Sequence, residues 1–281
     1  MRQIKAALIT KAVEDLFVKI NLELTPDVLS ALKKAHKTEK NSSARSVLKV
    51  LLENASIAKK ESIPICQDTG LAVVFAQIGQ DVHISGGDLK SSVDRGVKQA
   101  VKKGYLRASV VKDPLTRKNT KDNTPAILHT EIVPGNKIKL YILAKGGGAE
   151  NMSALKMLKP SDGIEGVKAF VIETVKKAGP SACPPMIVGV GIGGNFERCA
   201  YLAKKALLRG LGVNAPREAH LITLESTLLK DINRLGIGPS GFGGKTTCLA
   251  VKIESAPCHI ASLPVAVNIE CHAHRHGEVV L

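Results

Sequence analysis

Cys66, Cys183 and Cys271 stand in segments that read as turns rather than as core: P-I-C-Q-D-T-G, S-A-C-P-P-M and N-I-E-C-H-A-H-R-H. Each is followed by something a packing cysteine does not need: a polar turn, a double proline, or a cluster of histidines with an arginine. The plain reading is three unconnected loop thiols. The chemical reading starts from the thiolate, which is the metal-binding form of cysteine. Three thiolates are one short of a closed tetrahedral set. A metal centre held by three protein ligands keeps a position for substrate, which is the pattern of Lewis-acid catalysis. Zinc is one candidate, because His272, His274 or His276 could complete a Cys3His site, although the close cysteine pair of structural zinc is absent. A soft three-thiolate cage also suits a [4Fe–4S] cluster with one iron left open. Spacing alone does not choose between them.

The other three cysteines read differently. Cys199 falls in a helical pattern and Cys248 in a strand pattern, both without polar company, as small buried hydrophobes do. Cys258, beside His259 in A-P-C-H-I, is open to either reading. K-G-G-G-A-E-N (145–151) frees several backbone N–H groups to point one way, a nest for a carboxylate or oxyanion, or else a simple flexible turn. G-V-G-I-G-G (189–194) follows an apolar run but lacks the dinucleotide spacing, so a tight strand-to-helix turn is expected. G-F-G-G-K-T-T lacks the first glycine of a phosphate loop in register and precedes a strand, which excludes that motif.

The elements that must carry these residues are legible from periodicity. Ile4, Leu8, Ala12, Leu16 and Ile20 share a stripe, predicting a helix over 3–22. Thr25-Pro26-Asp27 opens a second helix running to about Thr38, and Ser42 or Ser43 caps a third. Helices are also expected over 85–103, 162–177, 197–211 and 220–235. Strands are expected over 71–78, 126–133, 137–144, 186–194, 246–253 and 265–269, with 126–133 and 137–144 forming a hairpin around P-G-N. Residues 104–125 read as a long loop, which in a compact domain is usually functional or disordered. The fold class expected is α/β in the mixed α+β sense: a helical N-terminal region, then mixed sheets flanked by helices. With no repeat and no obvious linker, 1–281 is read as one domain, 1–60 its helical part and 61–281 the α/β part with the cysteines.

Composition bounds the function. Aromatics are scarce, with five Phe, three Tyr and no Trp, so the core must rest on aliphatic residues. Net charge is +15, which anionic substrates, an acidic partner subunit or nucleic acid could each explain. The basic residues are spread along the chain, and single-strand binding would need more aromatic platforms, so composition argues against nucleic acid. Six cysteines in this length are too sparse for a disulfide scaffold. No secretory segment opens the chain and no stretch approaches a membrane span, so a reducing cytoplasm is expected.

Taken in order, P-I-C-Q-D-T-G, L-R-A-S, K-G-G-G-A-E-N, A-C-P-P-M, V-G-V-G-I-G-G, P-C-H-I-A-S-L-P and C-H-A-H-R-H resemble the iron–sulfur hydro-lyases, class I fumarase and its relative L(+)-tartrate dehydratase. The resemblance runs from about Cys66 to the end of the chain. It implies that Cys66, Cys183 and Cys271 hold a [4Fe–4S] cluster with one iron open to substrate. It also implies that Gln67 and Asp68 contact substrate, that Arg107 grips a substrate carboxylate, that Gly147 holds substrate through its backbone N–H, and that His259 is an active-site histidine. Asp68, or a group from a partner, would move the proton. Two departures from the long fumarases stand out: their N-T-G reads N-T-K or N-T-P here, and their S-C-P reads Ser262-Leu263-Pro264. The module's length resembles a separate α subunit, which implies a β subunit supplying further residues and a hetero-oligomer such as α2β2. The implied substrate is a small dicarboxylate. Fumarate is preferred over tartrate because no residue here can be tied to the extra hydroxyl of tartrate. A zinc-stabilised basic nucleic-acid-binding protein is the reading from a different class.

Overall fold

Proline and small polar residues punctuate the helices where the sequence places them. One helix begins on Pro26. Asp88 caps another, its side chain accepting from the Ser91 N–H at 2.8 Å, and Asn195 caps a third through the Arg198 N–H at 2.9 Å. The computed structural model describes residues 1–212 and 218–281. In chain order the elements begin β1 (Arg2–Lys5), α1 (Ala6–Leu22), α2 (Pro26–Thr38), α3 (Ser42–Glu61), β2 (Leu71–Gly79), β3 (Val82–Ser85), α4 (Leu89–Lys103), β4 (Ile127–Val133) and β5 (Ile138–Lys145). They continue α5 (Gly147–Glu150), β6 (Ala154–Leu158), α6 (Gly163–Ala178), β7 (Met186–Gly194), α7 (Phe196–Ala206), α8 (Ala219–Arg234), β8 (Cys248–Cys258), β9 (Leu263–Glu270) and β10 (His276–Val280). This is the α/β class with mixed sheets and a largely helical start. Among the described residues, no helix is long and apolar enough to cross a membrane.

The chain forms two compact units. The first comprises Met1–Thr25, Asn54–Gly147 and Arg275–Leu281. Its main sheet has the order β10-β5-β2-β4, with β2 antiparallel to β5 and parallel to β4. The hairpin expected from 126–133 and 137–144 is therefore not formed. The P-G-N turn still joins the two strands, but β2 lies between them. β2 buries Ala72, Val73, Val74, Phe75 and Ala76 in succession, so it belongs in the sheet's interior. β4 alternates exposed and half-buried positions and takes the edge. The helix expected over 3–22 also starts late. Residues 2–5 pair in parallel with β3, Ile4 opposite Ile84, and a partner that distant leaves no local trace. α1 and α4 pack closely because Gly96 has no side chain: a Cβ there would lie 2.6 Å from the Val13 Cβ. Phe17, Val97, Val74 and Leu140 share the resulting core.

The second unit comprises Pro26–Glu53 and Gly148–His274, so the boundary between the units falls within α3. Its sheet has the order β6-β9-β7-β8. Alternation along β7 divides its faces. Val188 and Val190 join a core with Val171 and Val175 of α6 and Leu228 of α8. Gly189 and Gly191 face α7, where added Cβ atoms would lie 2.2 Å from the Ala203 carbonyl oxygen and 2.0 Å from that of Cys199. Close helix-on-strand packing thus accounts for most of G-V-G-I-G-G, and no cofactor is needed to explain it.

Candidate active site

The connection from α3 to β2 carries Cys66, and its shape is fixed by partners within the first unit. Ile65 is buried, with both backbone groups committed: its N–H donates to the Asn21 carbonyl at 2.9 Å, and its carbonyl accepts from Asn54 Nδ2 at 2.9 Å. Cys66 is half-buried, its Sγ 3.3 Å from Gln67 Oε1, and Gln67 itself is exposed. Asp68 is the junction. Its Oδ1 accepts from the Gly70 N–H at 2.9 Å and from Ser109 Oγ at 3.1 Å, and its Oδ2 accepts from the Gly147 N–H at 2.8 Å. Arg275 Nη1 donates to its main-chain carbonyl at 2.6 Å. Burial pushes the Asp68 carboxyl up. The N–H groups of Gly147 and Gly70, the Ser109 hydroxyl and the nearby Arg275 charge outweigh that, so it lies below the usual aspartate range.

Gly70 must be glycine here. Its φ is +73°, and a Cβ would stand 2.4 Å from the Lys145 carbonyl oxygen. Asn123, fully buried, joins two of the motifs: its Oδ1 accepts from the Ser109 N–H at 2.8 Å and its Nδ2 donates to the Gly70 carbonyl at 2.9 Å. C-Q-D-T-G, L-R-A-S and the start of K-G-G-G therefore meet around one carboxylate. Arg107, two residues before Ser109, is exposed at the start of the long loop. Gly147 is exposed too, but its N–H is taken by Asp68.

In the second unit, Cys183 is exposed and left-handed, φ 51° and ψ 62°, a conformation that a non-glycine residue keeps only when its surroundings impose it. Its carbonyl accepts from the His272 N–H at 3.3 Å and lies 3.0 Å from His272 Nδ1. Cys271, half-buried, precedes that histidine, and its N–H donates to the Glu270 carboxylate at 3.2 Å. The segments carrying Cys183 and Cys271 are thus neighbours. His274 is a core histidine, fully buried, with Nε2 2.8 Å from the Leu207 carbonyl oxygen. His259 is exposed in the turn after β8, where its Nδ1 accepts from the Ala261 N–H at 3.1 Å. With Nδ1 accepting, the neutral ring carries its proton on Nε2. His259 and Cys258 line an apolar cleft of ≈ 460 Å³ with Ile164, Ile192 and Leu263.

The six cysteines sort as the sequence suggested for two of them. Cys199 and Cys248 are buried, and burial raises both thiols, that of Cys248 to about 12. Cys66, Cys183 and Cys271 are half-buried or exposed, the accessible soft donors a thiolate-ligated centre requires. Cys66 belongs to the first unit, Cys183 and Cys271 to the second. Among the described residues, no group of three or more His, Cys, Asp or Glu side chains is gathered to hold a metal ion. Sequence reasoning missed three polar residues around the Cys66 turn: Ser109, Asn123 and Arg275. Each stands inside or beside a motif already singled out, but a side chain's partner is not written in its neighbours.

Residues 10–280 match the family described as Fumarate hydratase (Fumerase). A protein of Methanocaldococcus jannaschii, provisionally named L(+)-tartrate dehydratase subunit alpha, is 45% identical over 275 residues, 96% of each chain. The L(+)-tartrate dehydratase subunit alpha of Escherichia coli O157:H7 is 33% identical over 276 residues, 97% of this chain and 90% of its own length. That of strain UTI89 is 34% identical over 272 residues, 96% and 89%.

Proposed function

This chain belongs to the fumarate hydratase (Fumerase) family of class I hydro-lyases, and from that membership we propose that it is the α subunit of an iron–sulfur enzyme that dehydrates L(+)-tartrate. The observation that carries the substrate is the run of relatives bearing that name along nearly their whole length. It reverses the preference for fumarate, which rested only on finding no residue to pair with tartrate's second hydroxyl. The same relatives bear the name "subunit alpha", so a β subunit is expected to complete the site; an α2β2 assembly in a reducing cytoplasm is part of the proposal and does not follow from those names.

Cys66, Cys183 and Cys271 are the proposed ligands of a [4Fe–4S] cluster. When bound, such a cluster supplies an open iron acting as a Lewis acid toward a hydroxyl and a carboxylate oxygen. The chain's own groups do the rest. Arg107, exposed on its loop, grips one substrate carboxylate through two parallel N–H bonds and so fixes orientation. Gln67, next to the first ligand, offers an amide to the substrate's polar face. Gly147 serves mainly through Asp68: its N–H helps hold that carboxylate ionised and oriented. An ionised, triply bonded Asp68 suits a charged orienting role better than proton delivery, and proton transfer falls to His259, exposed in its turn, or to the β subunit.

The test is a substrate panel on the α chain co-expressed with its β subunit under anaerobic conditions. Dehydration of L(+)-tartrate gives an enol that tautomerises to a 2-oxo diacid, trapped by a carbonyl reagent. Dehydration of malate gives the ultraviolet band of the fumarate double bond. Faster turnover of L(+)-tartrate supports the reading. Faster turnover of malate with little on tartrate restores the fumarate assignment, and a colourless zinc protein inactive on both overturns the hydro-lyase reading of this site.

A further inference from the structure

Arg275 is among the largest fully buried side chains, at 1% exposure, yet it lies in none of the roles assigned so far. A buried guanidinium is costly unless hydrogen bonds compensate it, so its partners show its use. Nη1 donates to the Asp68 carbonyl at 2.6 Å and to Asn21 Oδ1 at 3.0 Å. The Asn21 carbonyl in turn holds the Ile65 N–H. The far side of the guanidinium reaches the glycine turn: a Cβ on Gly146 would lie 3.5 Å from Arg275 Nη2 and 3.6 Å from Asp68 Oδ2. Arg275 therefore holds residue 68 directly, and its second partner, Asn21, holds residue 65 by its own main-chain carbonyl. The Cys66-Gln67 pair is the span between those two fixed points, and all of these groups lie in the first unit.

We infer that Arg275 is a positioning residue that holds the Cys66–Asp68 turn in its ligand-presenting shape before any cluster is bound. The inference rests on Cys66 being a cluster ligand, but its first readout does not need the cluster. The neighbouring His272 does the corresponding work for Cys183, through its N–H to that residue's carbonyl.

The experiment compares Arg275→Met and Arg275→Lys with the wild-type chain, in complex with its β subunit. Backbone hydrogen exchange is read on the cluster-free protein over residues 63–70, with β5 of the same unit as internal control. In Arg275→Met, exchange over 63–70 is expected to rise roughly tenfold or more relative to β5, because a charge-assisted bond to that turn is lost. Iron and sulfide retained after anaerobic reconstitution should fall severalfold, and Arg275→Lys should recover part of both. If 63–70 and iron content stay at wild-type levels, or if exchange rises equally in β5, the positioning role is overturned. Should Arg275→Met fail to fold, Arg275→Lys decides alone: a rise confined to 63–70 supports the inference and a uniform one overturns it. If the wild type takes up no cluster at all, yet Arg275→Met shows the selective exchange rise, the proposed function is overturned and the positioning role stands.

Discussion

The Cys66 turn and the Cys183–Cys271 pair present the same chemical group by different means. Around Cys66 the restraints are mainly side chains: the Asp68 carboxylate, the Ser109 hydroxyl, the Asn123 amide and the Arg275 guanidinium. Around Cys183 they come mainly through the backbone: a left-handed residue whose carbonyl is met by the His272 N–H. Side-chain restraints can be removed one at a time by substitution, whereas main-chain restraints survive it. The Cys66 turn should therefore be the more fragile of the two toward point mutation.

The largest effect on stability is expected from Gly70→Ala. It forces a Cβ to 2.4 Å from the Lys145 carbonyl oxygen at a φ of +73°. It should cost roughly 2–4 kcal/mol in urea unfolding, with loss of iron binding. A stability close to wild type would show that the turn is less confined than its contacts indicate.

Asp68→Asn comes next and carries a pH signature. The folded carboxyl lies below its ordinary value, so the ionised form stabilises the fold above that value, about 4, and the contribution disappears as pH falls through the lower folded pKa. The wild type should melt several degrees above Asp68→Asn at neutral pH, with the gap closing below about pH 4. A gap that persists unchanged in acid would remove the charge from the explanation. In the second region, His272→Ala should cost only about 1 kcal/mol, because the N–H to the Cys183 carbonyl remains when the ring is gone. A loss as large as that of Gly70→Ala would reverse the contrast.

The sequence was most readable where one residue's neighbours determine its state. Pro26 at a helix start and the buried run of β2 both appear where punctuation and periodicity put them, whereas the helix expected from residue 85 starts at Leu89 behind the Asp88 cap, because Val82–Ser85 pairs as β3. The thiols of Cys199 and Cys248 likewise follow from the patterns around them. It was least readable where partners are chosen at long range. β1 looked like the first turn of a helix because its partner strand is remote, and β4 with β5 looked like a hairpin because nothing local reveals that β2 intervenes. The candidate site divides the same way. Its motifs announced Cys66, Asp68 and Gly147. That Gly147 gives its N–H to Asp68, and that Arg275 reaches back to residue 68, depends on folding alone.

Iron and acid-labile sulfide counted after anaerobic reconstitution, in the wild type and in Cys66→Ser, Cys183→Ser, Cys271→Ser and Cys248→Ser, give the most direct test of the three-thiolate centre. Wild type and Cys248→Ser should each hold roughly four irons per α chain, while each of the other three should lose most of its cluster. Full iron in Cys66→Ser, or equal loss in Cys248→Ser, would contradict the assignment of these three cysteines.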